Sequence, residues 1–107
     1  MDVPDFEISV TGGLTWARVA VRGELDLATS EELAEALSRE LLSGRAVVLD
    51  LHDLAFMDAS GIAVILRAMA VAQENGWSFG VAAELSPGAL RTIRVAGVMP
   101  RLPLVEG

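Results

Sequence analysis

Residues 45 to 51 read Arg-Ala-Val-Val-Leu-Asp-Leu, and this run limits the possible folds more than any other part of the chain. It is short, β-branched and almost continuously apolar, which suits a central strand covered on both faces. Segments of helical periodicity stand on either side of it. A buried strand between helices belongs to a parallel sheet built through right-handed crossovers. The fold class this implies is α/β.

The other elements fit that frame. "DFEISV" (5–10) alternates, with Phe6, Ile8 and Val10 apolar, as a half-buried strand does. "TGG" (Thr11 to Gly13) is a turn, and "LTWARVAVRG" is a second strand. The short link makes an antiparallel hairpin. Ala17, Val19 and Val21 are expected in the core, with Trp16, Arg18 and Arg22 on the other face. "GELDLA" is a loop. "TSEELAEALSRELLSG" is a helix with Leu33, Ala34, Leu37 and Leu41 on its apolar face. Thr29 and Glu32 have the spacing of a capping box, and Gly44 suits the C-terminal cap.

After the central strand, "HDLAFMD" is a connection to the helix "SGIAVILRAMAVAQEN", which Gly76 closes. "WSFGVAA" is a strand. "SPGALRTIRVAG" is a third helix, with Ser86 as N-cap, Pro87 at the first helical position and Gly97 behind it. Leu102, Leu104 and Val105 form a last strand that Pro103 confines to an edge. The predicted order is β-β-α-β-α-β-α-β, a small mixed sheet packed with about three helices. It fills one domain over residues 1–107, with its core at about 5–105.

Bulk properties exclude several classes of function. The 107 residues carry 8 Lys plus Arg against 15 Asp plus Glu, a net charge of -7. That surface repels phosphate backbones and anionic lipid, so a nucleic-acid partner is not expected. A protein with a basic surface is the natural counterpart. No cysteine is present, so neither a disulfide framework nor a thiolate metal site is possible. The start, "MDVPDFEISV", lacks the pattern of a secretory signal. The longest apolar run, Ile62 to Ala72, is broken by Arg67 and is too short to cross a bilayer. A soluble, cytoplasmic protein without membrane insertion is the expectation. Homo-oligomerisation is left open.

The polar tetrad "DASG" (58–61) stands between apolar residues on both sides. Burying its hydroxyl and carboxylate without partners would cost stability. Asp58 is a good N-cap, with Ser60 in the first turn and Gly61 allowing close backbone approach. A cap alone would account for these residues. The helix that follows, however, is more apolar than a surface helix needs. Ile62, Ile65, Leu66 and Met69 make a sufficient core stripe. Ala63, Val64, Ala70 and Val71 then fall largely outside it, as a docking face of small apolar residues would. Asp26, at the end of "GELD", is expected on the same rim as Asp58.

Enzyme chemistry finds no support here. The Gly-x-Ser-x-Gly elbow is absent, and the single histidine, His52, is read as a solvated loop residue. Asp50, His52, Asp53 and Asp58 lack a recognised metal spacing. The phosphate-loop pattern is missing, and no cofactor is expected.

"GELD" followed by Thr29, then "VVLDL", then "FMDASG" and an apolar helix, together resemble the STAS domain of bacterial anti-sigma factor antagonists. The resemblance runs from about Phe6 to about Leu104. It implies that Ser60, the serine before the glycine, is a phosphorylation site. It implies an anti-sigma factor partner, usually a serine kinase that uses ATP, released on phosphorylation. Asp26, Asp58, Ser60 and Thr29 match the family's functional positions. Ala59, Gly61, Ala63, Val64 and Arg67 are added as expected partner contacts. Two departures stand out. Ala59 replaces a hydroxyl residue that many members carry, and the sequence stops at Gly107 without the further helix that usually follows the last strand. STAS-like domains also serve as non-phosphorylated scaffolds in signalling assemblies and as accessory subunits of membrane transport systems.

Overall fold

The computed structural model describes residues 6–106. Asp5, the first residue of the expected strand and core, lies outside the described residues. The elements are β1 (Phe6–Gly12), β2 (Trp16–Leu25), α1 (Ser30–Leu42), β3 (Ala46–Asp50), β4 (Leu54–Met57), α2 (Ala59–Asn75), β5 (Phe79–Ala82), α3 (Pro87–Ala96) and β6 (Leu104–Val105). A short 3-10 turn, Met99–Arg101, precedes β6. The strands form one sheet in the order β1-β2-β3-β5-β6, and β4 pairs with β2. Among the described residues only the β1–β2 pairing is antiparallel; the other pairings are parallel. The α/β class and the mixed sheet therefore hold.

Hydrophobic burial places the helices. Ala17, Val19 and Val21 of β2, Val47 and Leu49 of β3, and Val81 of β5 are at most 1% exposed. Val19, Val21, Val47, Leu49 and Val81 meet Leu33, Leu37 and Leu41 of α1 and Ile62 and Ile65 of α2 in one core cluster. Each such side chain contributes roughly 1.5–3 kcal/mol when fully buried. The opposite face of the sheet stays part-exposed. Trp16, Arg18, Ala20 and Arg22 lie there, and Val48 of β3 sits beside Arg18 in register. The central strand is thus covered on one face, not both. Its apolar run is interrupted on the open side by Asp50, whose Oδ2 accepts from Arg18 Nε at 2.9 Å.

Four local expectations change. The hairpin turn is Gly13–Thr15 rather than Thr11–Gly13, because Thr11 and Gly12 pair with Arg18 and Ala17. Leu14 sits at its tip, 98% exposed. "GEL" belongs to β2, not to a loop, and Leu25 is fully buried. "LAFM" is the strand β4, not a connection. Leu102 precedes β6, and Leu104–Val105 alone form the edge strand beside β5. Helix boundaries otherwise follow the expected caps. Ser86 Oγ accepts from Ala89 N at 3.1 Å, and Gly44, Gly76 and Gly97 take left-handed backbone at or just past the helix ends.

Candidate functional site

Two parallel strand ends build the rim on which α2 starts. Leu25 of β2 and Met57 of β4 are register partners. The next residues along each chain are Asp26 and Asp58. The Asp58 backbone N–H donates to the Leu25 carbonyl at 3.1 Å, which carries the pairing into the helix cap. β2 accommodates both β3 and β4 on one side through a register shift at Gly23–Glu24, where Gly23 adopts φ 94°. The two carboxylates thus reach one rim, as expected for Asp26 and Asp58.

At Asp58 the carboxylate Oδ1 accepts the Ser60 N–H at 2.8 Å. This is an N-cap that satisfies one otherwise unpaired donor of the helix start. Gly61 is required by packing. A Cβ there would lie 2.6 Å from Met57 Cγ and 2.8 Å from Leu25 Cδ2. α2 therefore sits directly on the paired strand ends, and Gly61 itself is buried, with no side chain to offer a partner. Ala59 is exposed and Ser60 half-buried. Among the described residues no hydrogen bond engages the Ser60 Oγ, so its hydroxyl is available.

Asp26 organises the neighbouring loop. Its Oδ1 accepts from Ala28 N at 3.0 Å and Thr29 N at 3.2 Å. The Thr29 hydroxyl donates to the Glu24 carbonyl at 2.9 Å and accepts from Asp26 N at 3.0 Å. The capping box expected between Thr29 and Glu32 does not form, since Thr29 makes no side-chain bond to α1. The reason is competition: Thr29 Oγ1 is drawn back to the strand end, and Asp26 covers the loop amides instead.

Ala59, Ala63 and Arg67 follow one another at helical spacing and are all exposed. They form a continuous strip leading from the tetrad. Val64 does not join them. It is 7% exposed and belongs to the core cluster, because α1 packs against that side of α2. A cleft of about 480 Å³ lies between the two helices, with Val64 and Arg67 among its lining residues.

Three residues of this region had no forewarning in the sequence. Leu27 stands out from the Asp26 loop, 80% exposed. Thr92 of α3 donates its hydroxyl to the Met57 carbonyl at 2.5 Å and so ties the end of β4 from outside the rim. Gly88 lets α3 approach β4, since a Cβ there would lie 2.4 Å from the Ala55 carbonyl oxygen.

His52 is not simply solvated. It donates its backbone N–H to Asp50 Oδ1 at 3.0 Å; its Nδ1 lies 3.0 Å from the same oxygen and its Nε2 3.3 Å from Asp53 Oδ1. The hydrogen bond and charge of Asp50 raise its pKa, with Asp53 adding to this. For Asp50 itself burial acts to raise the pKa, but hydrogen bonds from the His52 backbone and ring and from Arg18 outweigh it, and the net shift is downward. This network lies at the end of β3, apart from the tetrad. Among the described residues no group of three or more His, Asp or Glu converges as metal ligands, and no helix is long and apolar enough to cross a membrane.

A mixed sheet whose paired strand ends carry a capped apolar helix defines a STAS-type domain. The family described as "Mlab, STAS domain" matches residues 8–106, and the chain belongs to the STAS-domain family. It is 30% identical over 92 residues to the anti-sigma F factor antagonist of Paenibacillus polymyxa, covering 82% of this chain and 76% of that one. An anti-sigma factor antagonist from Mycobacterium paratuberculosis superposes with a TM-score of 0.74 at 28% identity, covering 97% of this chain and 89% of that one. The unphosphorylated anti-sigma factor antagonist SpoIIAA gives a TM-score of 0.75 at 18% identity, covering 94% and 88%, a likeness of fold.

Proposed function

We propose that this chain is an anti-sigma factor antagonist, a binding protein rather than an enzyme. In this reading the unphosphorylated form binds an anti-sigma factor that is also a serine kinase, and so frees a sigma factor in the cytoplasm. The kinase moves the γ-phosphoryl group of ATP to the Ser60 Oγ, with loss of the hydroxyl proton and release of ADP. The phosphorylated form then leaves. The relatives named as antagonists support the class of function. The observation that carries the switch is the state of Ser60: half-exposed, unbonded at Oγ among the described residues, and fixed at the backbone by Asp58.

The physics of the switch follows from that position. A phosphate adds about -1.5 to -2 charges at neutral pH. Helix N-terminal amides can tolerate this anion within the domain. A partner surface fitted to a neutral hydroxyl beside Asp58 and Asp26 cannot. Anions pressed together into an interface incur both repulsion and desolvation. Release therefore needs no refolding of the antagonist. Ala59, Ala63 and Arg67 continue the contact surface along α2, while Gly61 sets its height.

Incubation of the purified chain with a purified anti-sigma factor kinase and ATP, followed by peptide mass spectrometry, tests this reading. It predicts one phosphate on Ser60 and none in Ser60→Ala. A stable complex without phosphorylation would favour the scaffold or transport-accessory roles.

A further inference from the structure

The loop that leaves the rim at Asp26 carries a large apolar side chain, Leu27, at 80% exposure. Such a residue on a mobile loop would be unremarkable. This loop is not free to collapse. The Asp26 carboxylate holds the amides of Ala28 and Thr29, the two residues after Leu27. Thr29 Oγ1 anchors the loop to the Glu24 carbonyl. Backbone N–H groups of Thr29 and Ser30 also donate to the Asp26 carbonyl, at 3.1 and 2.8 Å. Leu27 is thus presented from a loop closed at both ends, with part of its ordering cost already met in the free protein.

Its surroundings indicate what it meets. The loop leaves the strand end to which Asp58 N is bonded, so it starts from the same rim as α2. Glu24 precedes it, and Glu31 and Glu32 follow in the first turn of α1, all exposed. Among the described residues none of these three glutamates, nor Asp26 or Asp58, is held in an ion pair. An exposed apolar side chain with unpaired carboxylates before and after it in the chain fits an apolar pocket bordered by lysine or arginine.

We infer that Leu27 is an apolar anchor of the antagonist, inserting into a basic-rimmed apolar pocket on the same anti-sigma factor that reads Ser60. This rests on the antagonist reading given above. Two contacts then have different tasks. Leu27 supplies affinity, and Ser60 supplies the on-off response. Because Leu27 is outside the core, its substitution leaves folding intact.

The test is a calorimetric titration of a purified anti-sigma factor from the same genome with wild type, Leu27→Ala, Leu27→Glu and Leu27→Lys, with melting temperatures measured in parallel. Expected are unchanged melting temperatures and affinity about 30-fold or more weaker for Leu27→Ala, the scale of a buried anchor. Leu27→Lys should bind more weakly than Leu27→Glu, because lysine meets the basic rim with like charge. Wild-type binding with Leu27→Ala equally tight overturns the anchor and leaves the antagonist reading standing. Equal loss in the lysine and glutamate variants overturns the basic rim. Absence of wild-type binding sinks the antagonist reading and the anchor with it. Self-association of the wild type that Leu27→Ala abolishes assigns Leu27 to a second copy and also overturns the proposal.

Discussion

Asp58 donates its backbone N–H to the carbonyl of Leu25 at 3.1 Å, although 33 positions separate them in the chain. This bond joins the end of β2 to the cap of α2. The same Asp58 uses its carboxylate to hold the Ser60 amide. One residue therefore couples the sheet to the backbone position of the hydroxyl proposed as the switch. Asp58→Ala should lose about 1 kcal/mol of stability, the typical value of an N-cap, while the backbone bond to Leu25 persists. Denaturant melts of Asp58→Ala and Asp58→Asn check this, with the asparagine variant the less affected.

Gly61 sets how closely α2 approaches the strand ends. An added methyl would meet Met57 Cγ at 2.6 Å and Leu25 Cδ2 at 2.8 Å, both in side chains at most 1% exposed. Gly61→Ala gains helix propensity but overpacks this contact. The expected balance is a loss of about 1–3 kcal/mol, read as a fall in melting temperature of several degrees. An unchanged or raised melting temperature would show that Met57 repacks freely.

Thr29 and Glu32 separate two explanations of one sequence pattern. A capping box would make both residues stabilising. With Thr29 bonded to Glu24 O and Asp26 N, and Glu32 exposed with no cap bond, only Thr29 should matter. Thr29→Val should cost about 1 kcal/mol, and Glu32→Ala should stay within about 0.5 kcal/mol of wild type. The comparison needs only two chemical denaturation curves.

The network of Arg18, Asp50 and His52 gives a pH dependence of known sign. The Asp50 pKa lies below its usual 3.8, so its contribution is present above that value and is lost as pH falls through the lowered pKa. The His52 pKa lies above its usual 6.5, so its contribution is complete below that value and is lost as pH rises through the raised one. Thermal melts across about pH 6 to 9 should show a decline in the wild type that His52→Gln lacks. A parallel decline in both proteins would assign it elsewhere.

Much of this architecture is legible in particular residues. The alternation of Ala17, Val19 and Val21 identified the buried face of β2, and Asp58, Gly76, Ser86 and Gly97 marked the helix ends. β4 was hidden because its burial runs buried-exposed-exposed-buried from Leu54 to Met57, with no period of two. The apolar run of β3 implied cover on both faces, yet Val48 is only half-buried, since charge pairing between Arg18 and Asp50 occupies that side. At the site, cap chemistry places Asp58 and Ser60 at the start of α2, while their functional roles come from the resemblance to STAS domains. Val64 was misplaced because the packing of α1 against α2 decides which apolar strip of α2 is buried, and helical spacing alone does not. Leu27 and Thr92 take their roles from tertiary placement, which no local pattern encodes.

Arg67 lies at the far end of the exposed strip that starts at Ala59, and among the described residues it makes no ion pair. Arg67→Glu should leave the melting temperature nearly unchanged and weaken partner binding severalfold. Intact affinity in this variant would shorten the contact surface to the tetrad and the Asp26 loop.

The most direct measurement is the affinity of the purified anti-sigma factor for wild type, Ser60→Ala and Ser60→Asp, taken at one salt concentration with folding verified for each. Wild type and Ser60→Ala should bind alike, and Ser60→Asp should bind at least about 100-fold more weakly, a difference of roughly 2.7 kcal/mol. Equal affinity for all three would contradict the account, because it would show that charge at the start of α2 does not govern the partner.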